Sequence, residues 1–109
     1  MKKENYLDKI PLISAKIQWE NENGEVVLMI ENKGIFNRLF QKIFKKPKKS
    51  YIHLDKIGSF VWKKIDGKST IKQIAEEVKK EFGEKAHPLY SRLIKYFSIL
   101  KEYKFVFLK

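Results

Sequence analysis

The first half of the chain carries apolar side chains in a pattern typical of strands. Ile17 and Trp19 alternate with polar residues and therefore share one face. A turn signal that ends in Gly24 follows, and after it comes a mostly apolar run. This pattern predicts a β-hairpin over residues 16–31. A third short strand is predicted over residues 50–54, directly before the first helical pattern.

The second half of the chain has the period of amphipathic helices. Asp55 is a candidate N-cap for the first helix, and Ser69 or Thr70 for the second. Gly83 stands where a helix-ending glycine is expected. Residues 105–108 suggest a final short strand. The helices are predicted over residues 56–65, 71–82 and 88–103. The fold class is therefore α+β, with three antiparallel strands followed by three helices in a single domain of residues 1–109.

The charge of the chain is concentrated in one segment. Lys and Arg number 24 against 13 Asp and Glu, for a net charge of +11. Seven of the basic residues, and no acidic residue, lie within residues 33–49. Within this basic insert, residues 34–46 have the apolar spacing of a helix that Pro47 would end. Such a patch suggests an acidic peptide, a nucleic acid or a lipid surface as partner, or simply a solvated face.

The residue types needed for catalysis or metal binding are scarce. Cysteine is absent, which excludes thiolate nucleophiles and zinc–thiolate sites within this chain. The two histidines, His53 and His87, lack the spacing of a metal pair, and the glycines do not form a phosphate-binding loop. We therefore predict a protein without enzymatic activity, metal or cofactor. The sequence has neither a long apolar run nor a signal-peptide pattern, so we expect it in the cytoplasm.

The third predicted helix has two apolar rows. With 100° per residue, one row forms an ordinary core stripe of Leu89, Leu93, Tyr96 and Leu100. The second row lies roughly 90° away and consists of Tyr90, Ile94, Phe97 and Lys101. Either the sheet covers both rows, or the second row lines a groove for a ligand.

The third predicted strand suggests how such a ligand would bind. If this strand lies at the edge of the sheet, its backbone groups are free to pair with an extended peptide. On this interpretation Ile52→Pro would remove an edge donor and abolish peptide binding without unfolding the protein.

Residues 54–82 carry a specific motif. Leu54 and Asp55 are followed by Gly58, a bulky apolar pair ends at Trp62, and an Asp-Gly turn at Gly67 precedes a helix led by Thr. This combination resembles the PqqD family, which is named for pyrroloquinoline quinone biosynthesis.

The resemblance implies a fold similar to a winged helix and a role as a peptide chaperone. Family members bind the leader of a ribosomally made precursor peptide at the edge of the third strand and against the third helix. They present it to a modifying enzyme, often a radical S-adenosylmethionine enzyme. The motif residues Gly58, Trp62 and Gly67 are expected to be structural. Carried over to this chain, the peptide-binding residues would be Tyr51, Ile52, His53, Leu54, Tyr90, Ile94, Phe97 and Lys101.

Two other functions fit parts of the sequence. Net charge and helix order favour a winged-helix nucleic-acid binder, but the third helix lacks Asn or Gln to read bases. The basic insert, 33–49, suggests binding to a membrane surface. The insert is longer than the corresponding connection in the quinone-pathway members, so its presence argues against a simple quinone-pathway role. Peptide binding remains the preferred interpretation.

Overall fold

The structure is a computed structural model that describes residues 6–31 and 49–109. The described residues form five strands in two antiparallel sheets, together with three α-helices. The strands are β1 (Pro11–Ile13), β2 (Gln18–Glu22), β3 (Glu25–Glu31), β4 (Lys49–His53) and β5 (Val106–Leu108). The helices are α1 (Lys56–Lys64), α2 (Ile71–Phe82) and α3 (Leu89–Glu102), with short 3₁₀ turns at Tyr6–Asp8 and Gly83–Ala86. The predicted helix over residues 34–46 lies outside the described residues.

The predicted hairpin is confirmed as β2 and β3. Glu22 faces Glu25 across a two-residue turn of Asn23 and Gly24, whose φ angles are 52° and 89°. Two successive positive φ angles define the turn that matches the twist of paired strands, and Asn-Gly is the sequence that adopts it most readily. The turn therefore fixes the register that pairs Trp19 with Leu28.

The larger sheet has the strand order β2–β3–β4, with β3 in the centre. Leu28 faces Trp19 on one side and Ile52 on the other. Leu28 and Val26 are fully buried in the core that the sheet shares with the helices. Among the described residues β4 therefore forms one edge of this sheet.

A serine of α1 joins the sheet to the helices. The backbone N–H of Val26 donates to Ser59 Oγ (2.8 Å), and the Ser59 hydroxyl donates to the carbonyl of Leu54 (3.1 Å). Leu54 N–H donates directly to the carbonyl of Val26 (2.9 Å). The hydroxyl thus replaces the second hydrogen bond of this strand pair and holds the end of β4 against β3.

The predicted caps start the first two helices. Asp55 Oδ1 accepts a hydrogen bond from the Gly58 N–H (2.7 Å) at the start of α1. Thr70 and Gln73 form a reciprocal capping box at α2, with distances of 3.1 and 2.8 Å. Both arrangements satisfy backbone donors that a helix start leaves unpaired. Gly83, with φ of 54°, ends α2 as predicted.

The core is apolar and centres on Trp62. Trp62 is fully buried, and the Trp19 ring meets it edge-on with 6.0 Å between ring centroids. Trp19 stays partly exposed because it lies on β2, at the side of the sheet opposite β4. Trp62 thus fills the core, whereas Trp19 covers it only in part.

The Asp-Gly turn of the motif has a structural explanation. Asp66 Oδ1 accepts hydrogen bonds from the N–H groups of Ser69 (2.7 Å) and Lys68 (2.9 Å), which lower the pKa of its carboxyl group. Gly67 has a φ of 77°, and a Cβ at this position would lie 2.9 Å from Leu12 Cδ2. Only glycine accommodates both the turn and the close approach of β1.

The final short strand suggested over residues 105–108 is confirmed as β5, so an order of three strands followed by three helices is incomplete for the described chain. β5 pairs with β1, a strand that sequence analysis missed. β1 has three residues and begins with a proline, so it lacks the alternation that reveals longer strands. The pairing joins the two ends of the described chain. The three-stranded antiparallel sheet and the three helices are confirmed, and the likeness to a winged helix stays a prediction.

We predict that Ser59→Ala destabilises the protein. The substitution leaves the Val26 N–H and the Leu54 carbonyl without their bridging hydroxyl, and each unsatisfied buried polar group costs about 1–3 kcal/mol. Urea unfolding should show a lower midpoint with little change in slope. Ser91→Ala is the control, because Ser91 is exposed and makes only a long hydrogen bond to the Pro88 carbonyl (3.4 Å). Equal stability of the two variants would contradict the bridging role.

Candidate functional site

The hydrogen-bond pattern decides which backbone groups of β4 point away from the sheet. Leu54 N–H bonds to the carbonyl of Val26, directly opposite in the register. Antiparallel strands alternate between pairs that exchange hydrogen bonds and pairs that do not. Ile52 therefore bonds inward to Leu28, whereas the backbone groups of Tyr51 and His53 point outward. The expectation that Ile52 supplies an edge donor is wrong, since its N–H faces β3.

The side chains of β4 alternate between the two faces of the sheet. Ile52 shares the face of Leu28, which packs against the helices, and is itself 39% exposed. Tyr51 and His53 lie on the other face, and Tyr51 is 57% exposed. Large apolar surface thus borders the outward backbone groups on both faces. Leu54 is half-buried against the core.

Tyr96 holds α3 close to the end of β4. Its hydroxyl donates to the carbonyl of Gly58 in α1 (2.8 Å). A Cβ on Gly58 would lie 3.4 Å from Tyr96 Cε1 and 3.5 Å from the Cβ of Leu54. Gly58 thus lies between Leu54, the residue directly after β4, and the middle of α3. Burial, with a smaller effect of the Asp55 carboxylate, raises the pKa of Tyr96, so its hydroxyl stays protonated and keeps donating.

The other end of α3 lies at the end of the sheet where β2 starts and β3 ends. Tyr103, directly after α3, lines a cavity together with Gln18 of β2 and with Met29 and Ile30 of β3. β4 starts at this same end of the sheet, since Met29 and Ile30 are register partners of Tyr51 and Ser50. Because Tyr96 lies near the end of β4 and Tyr103 at the opposite end of the sheet, the direction of α3 is antiparallel to that of β4.

The row of α3 that contains Tyr96 lies on the side of α1 and of the end of β4. Residues spaced by three or four positions share a helix face, and the row that contains Tyr96 also contains Ile99 and Tyr103. Ile99 is 45% exposed and Tyr103 is 60% exposed. We call the space between this row and β4 the β4–α3 cleft. Its α3 side consists of Arg92, Tyr96, Ile99 and Tyr103.

The row that sequence analysis selected faces elsewhere. The Tyr90 hydroxyl donates to Glu76 Oε2 of α2 (3.3 Å), and Lys101 Nζ lies 5.9 Å from the ring centroid of Tyr6. Phe97 is fully buried in the core, which removes it from any surface. Ile94 is partly exposed on this same side. Helical periodicity identified apolar rows correctly, but it carries no information on which neighbouring element each row faces.

A small cavity lies between α1 and α3 beside the end of β4. Its volume is about 90 Å³, and its walls include Val61, Leu93 and Tyr96. Asp55 and Arg92 add one charge of each sign to the lining. The Arg92 guanidinium also donates to the carbonyl of Lys85 (3.1 Å), which holds it beside the start of α3.

The described part of the chain offers no metal centre. Within residues 6–31 and 49–109, His, Asp and Glu do not form a cluster suited to binding a metal ion. None of the helices described in the structure is long and apolar enough to cross a membrane. The site offers backbone N–H and C=O groups that point away from the sheet, and exposed aromatic side chains beside them. These features suit binding rather than catalysis.

Comparison with protein-family models gives a match to coenzyme PQQ synthesis protein D (PqqD) over residues 25–106. The chain belongs to the PqqD family. The matched residues run from the start of β3 into β5, so they include β4 and the whole of α3. Comparisons with curated proteins and with solved structures give no match.

PqqD proteins are precursor-peptide recognition elements in coenzyme PQQ synthesis and act as accessory binding proteins rather than catalysts. They bind a precursor peptide and partner with a radical S-adenosylmethionine enzyme. Membership of the PqqD family confirms the resemblance found in residues 54–82 and extends it across most of the chain.

Proposed function

We propose that this protein is a non-catalytic chaperone for the leader of a ribosomally made precursor peptide, which it binds in the β4–α3 cleft. The outward backbone groups of Tyr51 and His53 pair with the peptide as an added strand. The exposed side chains of Ile52, Ile99 and Tyr103 contact its apolar residues. The observation that carries the proposal is the juxtaposition of an outward-facing strand edge and an exposed aromatic helix row.

The energetics support a moderate affinity. Tyr51 and His53 offer two donors and two acceptors, and each hydrogen bond contributes a net of about 1 kcal/mol. Two apolar anchors add about 2 kcal/mol each when buried. Ordering the peptide costs roughly 2–5 kcal/mol, which leaves about 3–6 kcal/mol and dissociation constants from the millimolar range down to tens of micromolar. Such affinity suits a protein that captures a peptide and then releases it to another enzyme.

The partner in that transfer is a peptide-modifying enzyme, for which the family indicates a radical S-adenosylmethionine enzyme. The protein itself needs no cofactor for this role, and we expect it to act in the cytoplasm. The first test is selection of a random 16-residue peptide library on the immobilised protein. We expect enrichment of peptides that carry apolar residues at alternate positions, which is the pattern of an extended strand. Failure to enrich any sequence would count directly against peptide binding.

We predict that Tyr51→Pro lowers the affinity for the enriched peptide by at least about fivefold. The substitution removes an outward N–H donor worth about 1 kcal/mol and places the proline ring at the edge where the peptide pairs. Proline is tolerated at sheet edges, so the variant should fold. Fluorescence polarisation with a labelled peptide measures the affinity. Tyr51→Ala is the matched control, because it removes the same side chain and keeps the donor.

Ile52→Pro tests the backbone groups of β4 that face β3 rather than the open edge. Its N–H faces β3, so this variant should lose thermal stability by breaking a hydrogen bond within the sheet. If Tyr51→Pro folds and binds the peptide like Tyr51→Ala, strand addition at this edge is refuted.

We predict that Ile99→Ser weakens peptide binding by roughly tenfold, because it removes an anchor worth about 1.5–3 kcal/mol when buried. Ile94→Ser is the matched control on the α2 side of α3 and should change affinity by less than about twofold. Both residues are exposed to a similar extent in the free protein, so both variants should keep their stability. A larger loss with Ile94→Ser than with Ile99→Ser would place the peptide on the row that sequence analysis chose.

A further inference from the structure

A wide concavity lies at the end of the sheet where β2 starts and β3 ends. Its volume is about 570 Å³, within the range of about 300–1,000 Å³ that is typical of ligand pockets. The β1–β2 connection forms one wall, the α3–β5 connection another, and the end of β3 the floor. We call it the aromatic pocket. Its apolar lining includes Ile17, Met29, Ile30, Tyr103, Phe105 and Phe107.

The aromatic rings of this pocket are only partly used in folding. Tyr103 stacks on Phe105 with 5.6 Å between ring centroids and an angle of 20° between ring planes. Tyr103 nevertheless keeps more than half of its surface exposed, and so does Phe107. Large apolar side chains that remain exposed next to one another mark binding surfaces more often than folding surfaces.

The aromatic pocket lies at the same end of the sheet as the first residue of β4. Gln18 of β2 and Met29 of β3 both line it, which puts it on the β2 side of β3. Tyr103, the last member of the cleft row, also belongs to the lining. A peptide that pairs with β4 and continues past the first residue of that strand reaches the pocket by crossing the end of β3.

The charge at the pocket is of one sign. Lys16 and Lys104 contribute to the lining, and none of the described lining residues is acidic. Two ammonium groups at the rim of an apolar pocket favour a ligand that places a carboxylate beside a bulky apolar group.

The pocket is also a feature of this chain beyond the family match. The β1–β2 connection that forms one wall, and Phe107 in β5, lie outside the matched residues 25–106. Contacts between a peptide and these residues therefore add to the contacts made by residues inside the family match, and they increase the selectivity for one peptide over another.

We propose that the aromatic pocket is a second recognition subsite, which receives a bulky apolar side chain of the same precursor peptide next to an Asp or Glu. This inference rests on the proposed function. The anchor lies outside the segment that pairs with β4, so the subsite distinguishes among peptides that satisfy the strand equally well.

The test uses the peptide enriched from the 16-residue library, labelled with fluorescein, and measures its affinity by fluorescence polarisation. Phe107→Ser should weaken binding by about tenfold, because it removes one face of the apolar subsite. A Lys16→Gln, Lys104→Gln double variant should weaken binding and flatten its salt dependence. Lys72→Gln, Lys79→Gln on α2 is the matched control for charge and should leave binding within twofold.

The outcomes separate the subsite from the proposed function. If Phe107→Ser binds like the wild type while Tyr51→Pro loses affinity, strand addition stands and the subsite is refuted. If Phe107→Ser lowers the melting temperature but leaves affinity unchanged, the pocket serves the fold of the chain itself, and the subsite is again refuted. If neither Phe107→Ser nor Tyr51→Pro changes affinity, both proposals fail together. Replacing the acidic residue of the peptide with its amide should reproduce the loss seen in the lysine double variant.

Discussion

The hydroxyl of Ser59 is the contact on which the arrangement of this molecule depends. It receives the N–H of Val26 and donates to the carbonyl of Leu54, and so belongs to helix and sheet at once. This contact determines which residues of β4 form backbone hydrogen bonds with β3, and Ile52 is one of them. Because successive residues of a strand point their backbone N–H and C=O groups to opposite sides, those of Tyr51 and His53 point away from β3. The chemical character of the open edge thus follows from one buried serine at the start of α1.

A second contact places α3 beside that edge. Gly58 has no side chain, so Tyr96 can approach closely, and the Tyr96 hydroxyl donates a hydrogen bond to the Gly58 carbonyl (2.8 Å). Tyr96 thus brings its side of α3 next to the end of β4, whereas Tyr90 and Lys101 point towards α2 and the N-terminal turn. The family motif is therefore important for function indirectly, since its small residues set the distance between two surfaces that they do not themselves form.

Local signals in the sequence predicted much of this fold. Asn23 and Gly24 specify the hairpin turn, and Asp55 and Thr70 cap their helices as their residue types indicate. These features depend on residues within a few positions of one another, which is why the sequence alone reveals them. The sequence left open whether β4 lies at the edge of the sheet, because strand order depends on pairing between residues far apart in the chain.

Features that depend on distant residues were not predictable in the same way. The pairing of β1 with β5 joins short segments almost a hundred residues apart, and Pro11 disguises the first of them. The choice between the rows of α3 depends on where α1 and α2 pack, and no periodicity within α3 encodes that. Phe97 has the spacing of a groove residue yet fills the core. Long-range packing therefore decided the points on which sequence analysis failed.

The most direct measurement is residue-resolved amide hydrogen exchange of the free protein and of its complex with the enriched peptide. In the free protein, the Ile52 and Leu54 amides should exchange slowly, while those of Tyr51 and His53 exchange at nearly unprotected rates. Adding the peptide should slow exchange at Tyr51 and His53 selectively. The account is contradicted if these two amides are already as protected as their neighbours in the free protein, or if peptide binding leaves them unchanged.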